Sequence, residues 1–525
     1  MKKNMDPMTT PMLSTAQRRY LFFTAATTGA AIMIIEILGA KMLAPYVGTS
    51  HFVWTAQITV TLVALAAGYY AGGRWTDRSP GMPALYLAIL LAASYLCGAV
   101  LLVERVACAA LSLRLALGSL LASAFLFFVP LALLATTGPF LVQKLTSSLQ
   151  HVGGSVGRLT AVSTLGSVAG TTLIGYVLIP LLPNSLTMLL TAGALILLAA
   201  GYFLVWGFRA GTACAALLAL AIGLACGWST MSKAWVSNSA STELYRGNSN
   251  FGQLQVLQSR QMPYRIFLND YLVQGAYDTQ TQKSIVAFTH LLHDLSRAYS
   301  TNLQDVLCIG LGVGIVPMQF AREGARVEVV EINPAVVSMA QQYFDFQPER
   351  MRITLGDGRQ YVAACRQRYD VIILDAFLGE TSPFHLMTRE AFLAMRRILR
   401  PNGILVINAF GNFATGRDFQ VASLQKTLEQ VFPQVRLHAD SPDAARAINV
   451  FLVASAGELA IRQQPVFDHI PAICRGQVES AFARIVTADT AHGIVLTDDY
   501  NPVDYYDAAN REQMRRDLVA LTRGL

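Results

Sequence analysis

Apolar residues follow two different rhythms along this chain. Up to about residue 230 they run in long, nearly unbroken stretches, and a helix needs about 20 such residues to cross the hydrocarbon of a bilayer. Seven stretches reach that length, at roughly 20–42, 53–73, 83–103, 115–137, 159–181, 184–206 and 211–230. The first begins near Phe22 and is followed by more spans, not by a small-residue cleavage site, so it reads as an anchor and not as a removed signal. In the fifth, Ser163, Gly166, Gly170 and Gly175 are small enough for two helix backbones to approach closely. After about residue 231 the runs shorten. GQLQVLQ and YRIFLNDYLV have the short alternating pattern of hairpin strands. From Asp305 the pattern becomes strand, helix, strand, helix. VLCIGLG, VEVVEI, MRITLGD, VIILDAF and GILVINAF predict core strands, and the runs Pro334–Tyr343, Thr388–Leu399 and Asp418–Val431 predict helices. Repeated β-α alternation implies a doubly wound parallel sheet.

The expected architecture is therefore a multi-pass α-helical membrane domain over 1–230, a small β-rich part over 231–300, and an α/β Rossmann-like domain over 301–525. Composition agrees. The 525 residues are 53% hydrophobic and only 14% charged, against about 25% charged in soluble domains. The net charge of +7 is not distributed like a nucleic-acid face, since many basic residues flank the apolar spans. Lys2, Lys3, Arg18 and Arg19 precede the first span, Arg74 and Arg78 follow the second, Lys144 and Arg158 the fourth, and Arg209 the sixth; the opposite loops hold mainly Arg105 and Arg114. This bias places the N-terminus in the cytoplasm. Seven spans then put the following half outside, unless the count is off by one and residues 104–114 form an interfacial or re-entrant piece. Glu36 lies within the first span and Lys41 near its end; a carboxylate at that depth is either functional or paired with a polar group of a neighbouring helix. The run GRWTDR at residues 73–78 resembles the loop after the second span of major-facilitator transporters. The seven cysteines include no CxxC pair, and read as small buried hydrophobes. No group of histidines has metal-ligand spacing, His290 and His293 lacking a third partner, so no metal is expected.

Candidate chemistry gathers at strand ends, where open α/β sheets bind ligands. Gly310, Gly312 and Gly314 form G-x-G-x-G after an apolar strand, and Glu331 ends the next strand. Such glycines let the backbone approach a nucleoside, and an acid at the second strand end accepts bonds from both ribose hydroxyls. A solvated surface Glu is the plainer reading of Glu331. Asp357, beside Gly358 in LGDG, ends the third strand; it is placed either to receive an adenine amino group or to form an ordinary Asx turn. Asp375 ends YDVIILD, where it is either a general base facing an amine or hydroxyl or a helix N-cap or loop-ordering acid. Asp370 begins that strand, at the opposite end of the sheet, and is given no role.

The order and spacing of these motifs, with GRLTAVSTLGSVAGTTLIGYVLIPLL and LTDDYNPV, resemble the spermidine synthase (polyamine aminopropyltransferase) family, and from about residue 20 to 507 the chain resembles its membrane-fused bacterial branch. The resemblance implies a small β-domain leading into a methyltransferase-type sheet. It implies decarboxylated S-adenosylmethionine as co-substrate, with no separate cofactor, and an amine such as putrescine as acceptor, giving spermidine and methylthioadenosine. Gln253 in NFGQLQV matches the nucleoside-binding Gln, Glu331 the ribose-binding acid, Asp357 and Gly358 the adenine-side pair, and Asp375 the catalytic acid. Pro383 matches a nucleoside-contacting proline, and Gln274 in LNDYLVQ resembles the Gln of the L-D-G-x-x-Q segment. The partners implied are these small molecules and the lipid bilayer of a bacterial inner membrane, with a homo-oligomer as a further expectation. The departures fall on the acceptor side. Val313 stands where the glycine loop carries an Asp, Leu378 where a second acid follows Asp375, and Ser284 and Ile285 where a Tyr-His pair stands; Glu380 is a substitute for one of them. Two other functions fit the same residues: an S-adenosylmethionine-dependent methyltransferase, or a non-catalytic membrane transporter or sensor with a nucleoside- or polyamine-binding domain.

Overall fold

The computed structural model describes residues 13–48, 50–78, 81–146, 152–207, 209–233, 240–270, 272–300, 302–377, 383–441 and 446–522. The chain divides into two compact units. One takes in the chain up to Met42, Trp54–Val106 and Ser119–Lys233; the other takes in Leu43–Val53, Ala107–Gly118 and the chain from Ala234 onward.

Among the described residues, seven helices are long and apolar enough to cross a membrane: Thr15–Val47, His51–Arg78, Met82–Ala110, Leu115–Leu145, Val152–Leu181, Asn184–Trp206 and Ala210–Thr230. The third runs on to Ala110 before a short turn. The segment 104–114 is thus mostly the end of that helix and adds no span. The run 73–78 is likewise no loop; it is the last turns of His51–Arg78. Nothing in GRWTDR breaks a helix outright, and Arg78 in the final turn complements the negative end of the helix dipole. Small residues bring the first and fifth helices together. A Cβ added at Gly166 or Gly170 would fall 2.1 or 2.6 Å from the carbonyl oxygen of Ala26 or Ala30, and the Ser167 hydroxyl donates to the Gly29 carbonyl at 3.1 Å. Gly175, grouped with them in the sequence, faces open space.

In the other unit, β1 (Ser241–Ser249), β2 (Gly252–Ser259), β3 (Tyr264–Asn269), β4 (Leu272–Asp278) and β5 (Lys283–Ser284) form an antiparallel sheet in chain order. The main sheet is built from β6 (Asp305–Ile309), β7 (Arg326–Glu331), β8 (Arg352–Leu355), β9 (Tyr369–Leu374), β10 (Leu399–Gly411), β11 (Gln434–Ala439), β12 (Ile448–Ser455) and β13 (Ile485–Val486). Its order is β13-β11-β12-β10-β9-β6-β7-β8. β8, β7, β6, β9 and β10 are parallel, whereas β12 runs antiparallel to both β10 and β11. The sheet is therefore Rossmann-like but mixed, not wholly parallel as expected. Three of its strands lie beyond the five legible in sequence.

Side chains on β6 alternate between two cores. Val306 and Cys308 pack with Leu291, Leu295, Met318 and Phe320 on one face; Leu307 and Ile309 pack with Phe392, Met395 and Leu424 on the other. Burial on both faces explains why the run VLCI is continuously apolar. At the amino ends of these strands, Arg400 pairs with both Asp305 (2.6 Å) and Asp370 (2.8 Å), and Asp370 also accepts from the backbone N–H groups of Gln304 and Asp305. Asp370 thus ties together the end of the sheet remote from the strand tips.

Candidate active site

Successive strands leave β6 in opposite directions: β7 lies on one side and β9 on the other. The carboxyl tips of β6 and β9 diverge at this switch point and leave a crevice. A cavity of about 470 Å³ opens there, bounded by the tips of β6, β7, β9 and β10. Gly310 makes the crevice possible. Its N–H donates to Val330 O at 2.9 Å, while Asp375 N–H donates to Ile309 O at 3.0 Å. With φ +97°, a Cβ at Gly310 would lie 2.3 Å from the Asp375 carbonyl, so a side chain would push the two strand tips apart.

Eight of the residues expected from the sequence line this one cavity: Gly310, Gly312, Glu331, Asp357, Gly358, Asp375, Pro383 and Gln274. Two stand apart. Gln253 lies in β2, where its N–H donates to Asp270 Oδ1 at 2.9 Å, and it is Phe251 of that hairpin that reaches the cavity. Gly314 serves packing: at φ +81°, its absent Cβ would sit 2.3 Å from the Phe346 ring. Gly314→Ala is therefore expected to destabilise the domain by about 2–4 kcal/mol, through left-handed strain plus overpacking. The unfolding midpoint in denaturant would show the loss, with nucleoside affinity of the folded protein little changed.

Glu331 is not a solvated surface acid. It is buried; one carboxylate oxygen accepts from Leu311 N–H at 3.0 Å and the other from Asn333 N–H at 2.7 Å. Burial pushes its pKa above the ordinary carboxylate range, and those backbone donors pull the other way. Each carboxylate oxygen has two lone pairs, so acceptor capacity remains on the cavity side. Both carboxylate oxygens of Asp357 are engaged. Oδ1 accepts from Gln360 N–H at 3.0 Å, capping the helix Gly358–Ala364, and Oδ2 meets His385 Nε2 at 2.9 Å.

Asp375 caps no helix; irregular backbone follows it. Its Oδ1 accepts from Asn408 Nδ2 at 2.9 Å, and Asn408 Oδ1 accepts from Asn449 Nδ2 at 2.9 Å. Burial raises the Asp375 pKa to about 6, and the Asn408 bond only partly opposes this. No cation neutralises the carboxylate among the described residues, which keeps it basic.

Sequence reasoning passed over His385, Asn408 and Asn449. Asn408 carried a signal, a lone amide inside the apolar run ILVINAF; His385 and Asn449 are brought in by folding alone. At the positions where the sequence departs from the resemblance, Val313 is buried against Gly275, whose added Cβ would lie 2.9 Å from Val313 Cγ2. The Ser284 hydroxyl turns to the Ala276 and Val286 carbonyls, and Ile285 presents an apolar wall to the cavity. Leu378 and Glu380 lie outside the described residues.

Residues 282–459 match the spermine/spermidine synthase domain family. A polyamine aminopropyltransferase of Vibrio vulnificus (strain CMCP6) is 43% identical over 113 residues, which is 20% of this chain and 38% of that protein. An N-terminal histidine N-methyltransferase of Emericella nidulans is 26% identical over 250 residues, 42% of this chain and 44% of that one. The chain thus spans less than half the length of these curated relatives. A crystal structure of spermidine synthase from Thermotoga maritima aligns with a TM-score of 0.37 and 19% identity, over 46% of this chain and 84% of that one.

Proposed function

We propose, from the match of residues 282–459 to the spermine/spermidine synthase domain family, that the chain is an aminopropyltransferase anchored in a bacterial inner membrane by its apolar helices. Decarboxylated S-adenosylmethionine is the donor. Glu331 takes the ribose hydroxyls, Asp357 faces the adenine, and the backbone at Gly310 and Gly312, with Gly358, Pro383 and Gln274, closes around the nucleoside. The acceptor nitrogen forms a bond to the propyl carbon beside the sulfonium. The carbon–sulfur bond breaks, its electron pair returns to sulfur, and neutral methylthioadenosine leaves. The proton shed by the nitrogen goes to Asp375. Holding both reactants in one cavity makes the attack effectively intramolecular, which supplies much of the rate.

The observation that carries this reading is Asp375: a partly buried carboxylate with a raised pKa, partnered by the neutral Asn408, in the same cavity as Glu331 and Asp357. The test is the purified full chain in detergent or nanodiscs, with labelled decarboxylated donor and a panel of amines. Methylthioadenosine release is expected; none with any amine would sink the proposal. A methyltransferase activity is the second reading, favoured by the Emericella nidulans relative and by the apolar Val313 and Ile285 on the acceptor side. Calorimetry with S-adenosylmethionine and its decarboxylated form separates the two by which nucleoside binds.

Asn408 offers a further check. Its bond to Asp375 lowers the carboxyl pKa, so Asn408→Leu raises it. The acidic limb of the rate profile, expected near pH 6, should move up by about one unit, with the plateau at high pH retained in large part.

A further inference from the structure

We propose, resting on the transferase reading, that the cavity has an acceptor subsite ending at Asp440, built for a linear polyamine longer than a four-carbon diamine. The strand register carries this. Leu374 pairs with Ile407, so Asp375 follows beside Asn408. Asn449 pairs with Phe410 across β10 and β12, and Ala439 pairs with Val450 across β11 and β12, so Asp440 follows beside Asn449. Asp375, Asn408, Asn449 and Asp440 therefore sit on four neighbouring strand tips and one face of the sheet, and all four line the cavity. An acid stands at each end of this row and amides stand between.

Phe410, Ile448 and Ile473 line the same cavity, and Gln477 adds a third amide side chain. A chain of methylenes with cationic ends and a polar nitrogen between them has the matching pattern. Strands lie about 4.8 Å apart, and Asp440 is three strands from Asp375 and two residues further out, so the two Cα positions are on the order of 15 Å apart. A four-carbon diamine is too short to reach both carboxylates, whereas a triamine-length chain reaches. Asp440 is held in place through its backbone: its carbonyl accepts from Arg484 Nη1 at 2.9 Å and from the Ser480 hydroxyl at 3.4 Å. Asp440 is partly exposed, and exposed Arg446 is the one cationic residue among the described lining residues apart from His385. Val313 and Ser284, packed or hydrogen-bonded inward, leave the second charge of the acceptor to this end of the cavity.

The experiment compares the full chain with Asp440→Asn and Asp440→Glu, which all keep the backbone bonds. Acceptors are monoamines, diamines of increasing length, and linear triamines. The wild type should favour triamines; Asp440→Asn should raise their KM about tenfold with little change in kcat, leave monoamines unaffected, and be rescued by Asp440→Glu. Equal effects on monoamines and triamines, or none on either, overturn the subsite. If no acceptor is turned over at all, the transferase reading falls by itself. The subsite is then judged by calorimetric titration of a triamine into the chain saturated with methylthioadenosine. A tenfold weaker Kd in Asp440→Asn supports it, and an unchanged Kd refutes it.

Discussion

Asp375→Asn is expected to reduce turnover by about 10²- to 10⁴-fold, the range in which a positioned general base contributes. The affinity for methylthioadenosine should stay within about threefold, because the nucleoside is assigned to Glu331 and Asp357. The asparagine carbonyl can still accept from Asn408 Nδ2, so the hydrogen-bond row across the strand tips survives. Stability should move the opposite way from activity. The folded-state pKa of Asp375 is raised to about 6, above the unfolded value of about 3.9. The native state therefore binds this proton more tightly than the unfolded chain does. That stabilisation is complete below about pH 4 and is lost as pH rises through 6. At pH 7 the wild type carries the buried charge and Asp375→Asn does not, so the variant should unfold later, by about 1–2 kcal/mol after discounting for the part of the side chain open to the cavity. Activity and denaturant unfolding at pH 5 and pH 7 test both halves. A stability gain about halved at pH 5 relative to pH 7, with turnover lost at both, is the expected pattern. Full turnover in the variant would remove Asp375 from the chemistry and favour a binding or sensing role.

Glu331→Gln is expected to weaken methylthioadenosine binding about 100-fold, as the two charge-assisted bonds proposed to the ribose hydroxyls would be replaced by weaker neutral ones. The change also reaches the fold. Both carboxylate oxygens accept from backbone donors, Leu311 and Asn333, and an amide offers one acceptor where two are needed. One N–H is left facing another donor, costing about 1–3 kcal/mol. Calorimetry with methylthioadenosine and denaturant unfolding of the unliganded chain separate the effects. A variant that loses stability but binds as tightly as the wild type would mean that Glu331 only organises the loops. Asp375→Asn changes the chemistry and spares binding, whereas Glu331→Gln changes binding first. Opposite signatures in two acids of one cavity are what the proposed division of labour requires.

Particular elements explain how far the sequence could be read. Of the five parallel strands, β6, β7, β9 and β10 were legible because each is largely buried and leaves a short apolar run, whereas the edge strand β8 has no buried residue and was legible from the β-α alternation around it. The three strands after residue 432 were not. INVFLVAS of β12 is as apolar as the others, but no β-α alternation leads into it. Its antiparallel placement between β10 and β11 depends on contacts across the sheet, not on local pattern. The same limit applies to the glycine loop. Gly310 and Gly314 look alike in sequence, yet one makes room for a neighbouring strand tip and the other for the Phe346 ring. The run GRWTDR resembles a transporter loop, although nothing in it stops a helix.

By itself the sequence determined which residues must be buried, in lipid-length helices or in a doubly wound sheet, and which acids must end up at strand tips, because apolar periodicity and strand ends are local properties. The tertiary structure alone decided which of those residues share a cavity. It excluded Gln253 and Gly314, brought in His385, Asn408 and Asn449, and set Asp440 in line with Asp375. Those relations depend on strand order and register, which are settled by packing between segments far apart in the chain.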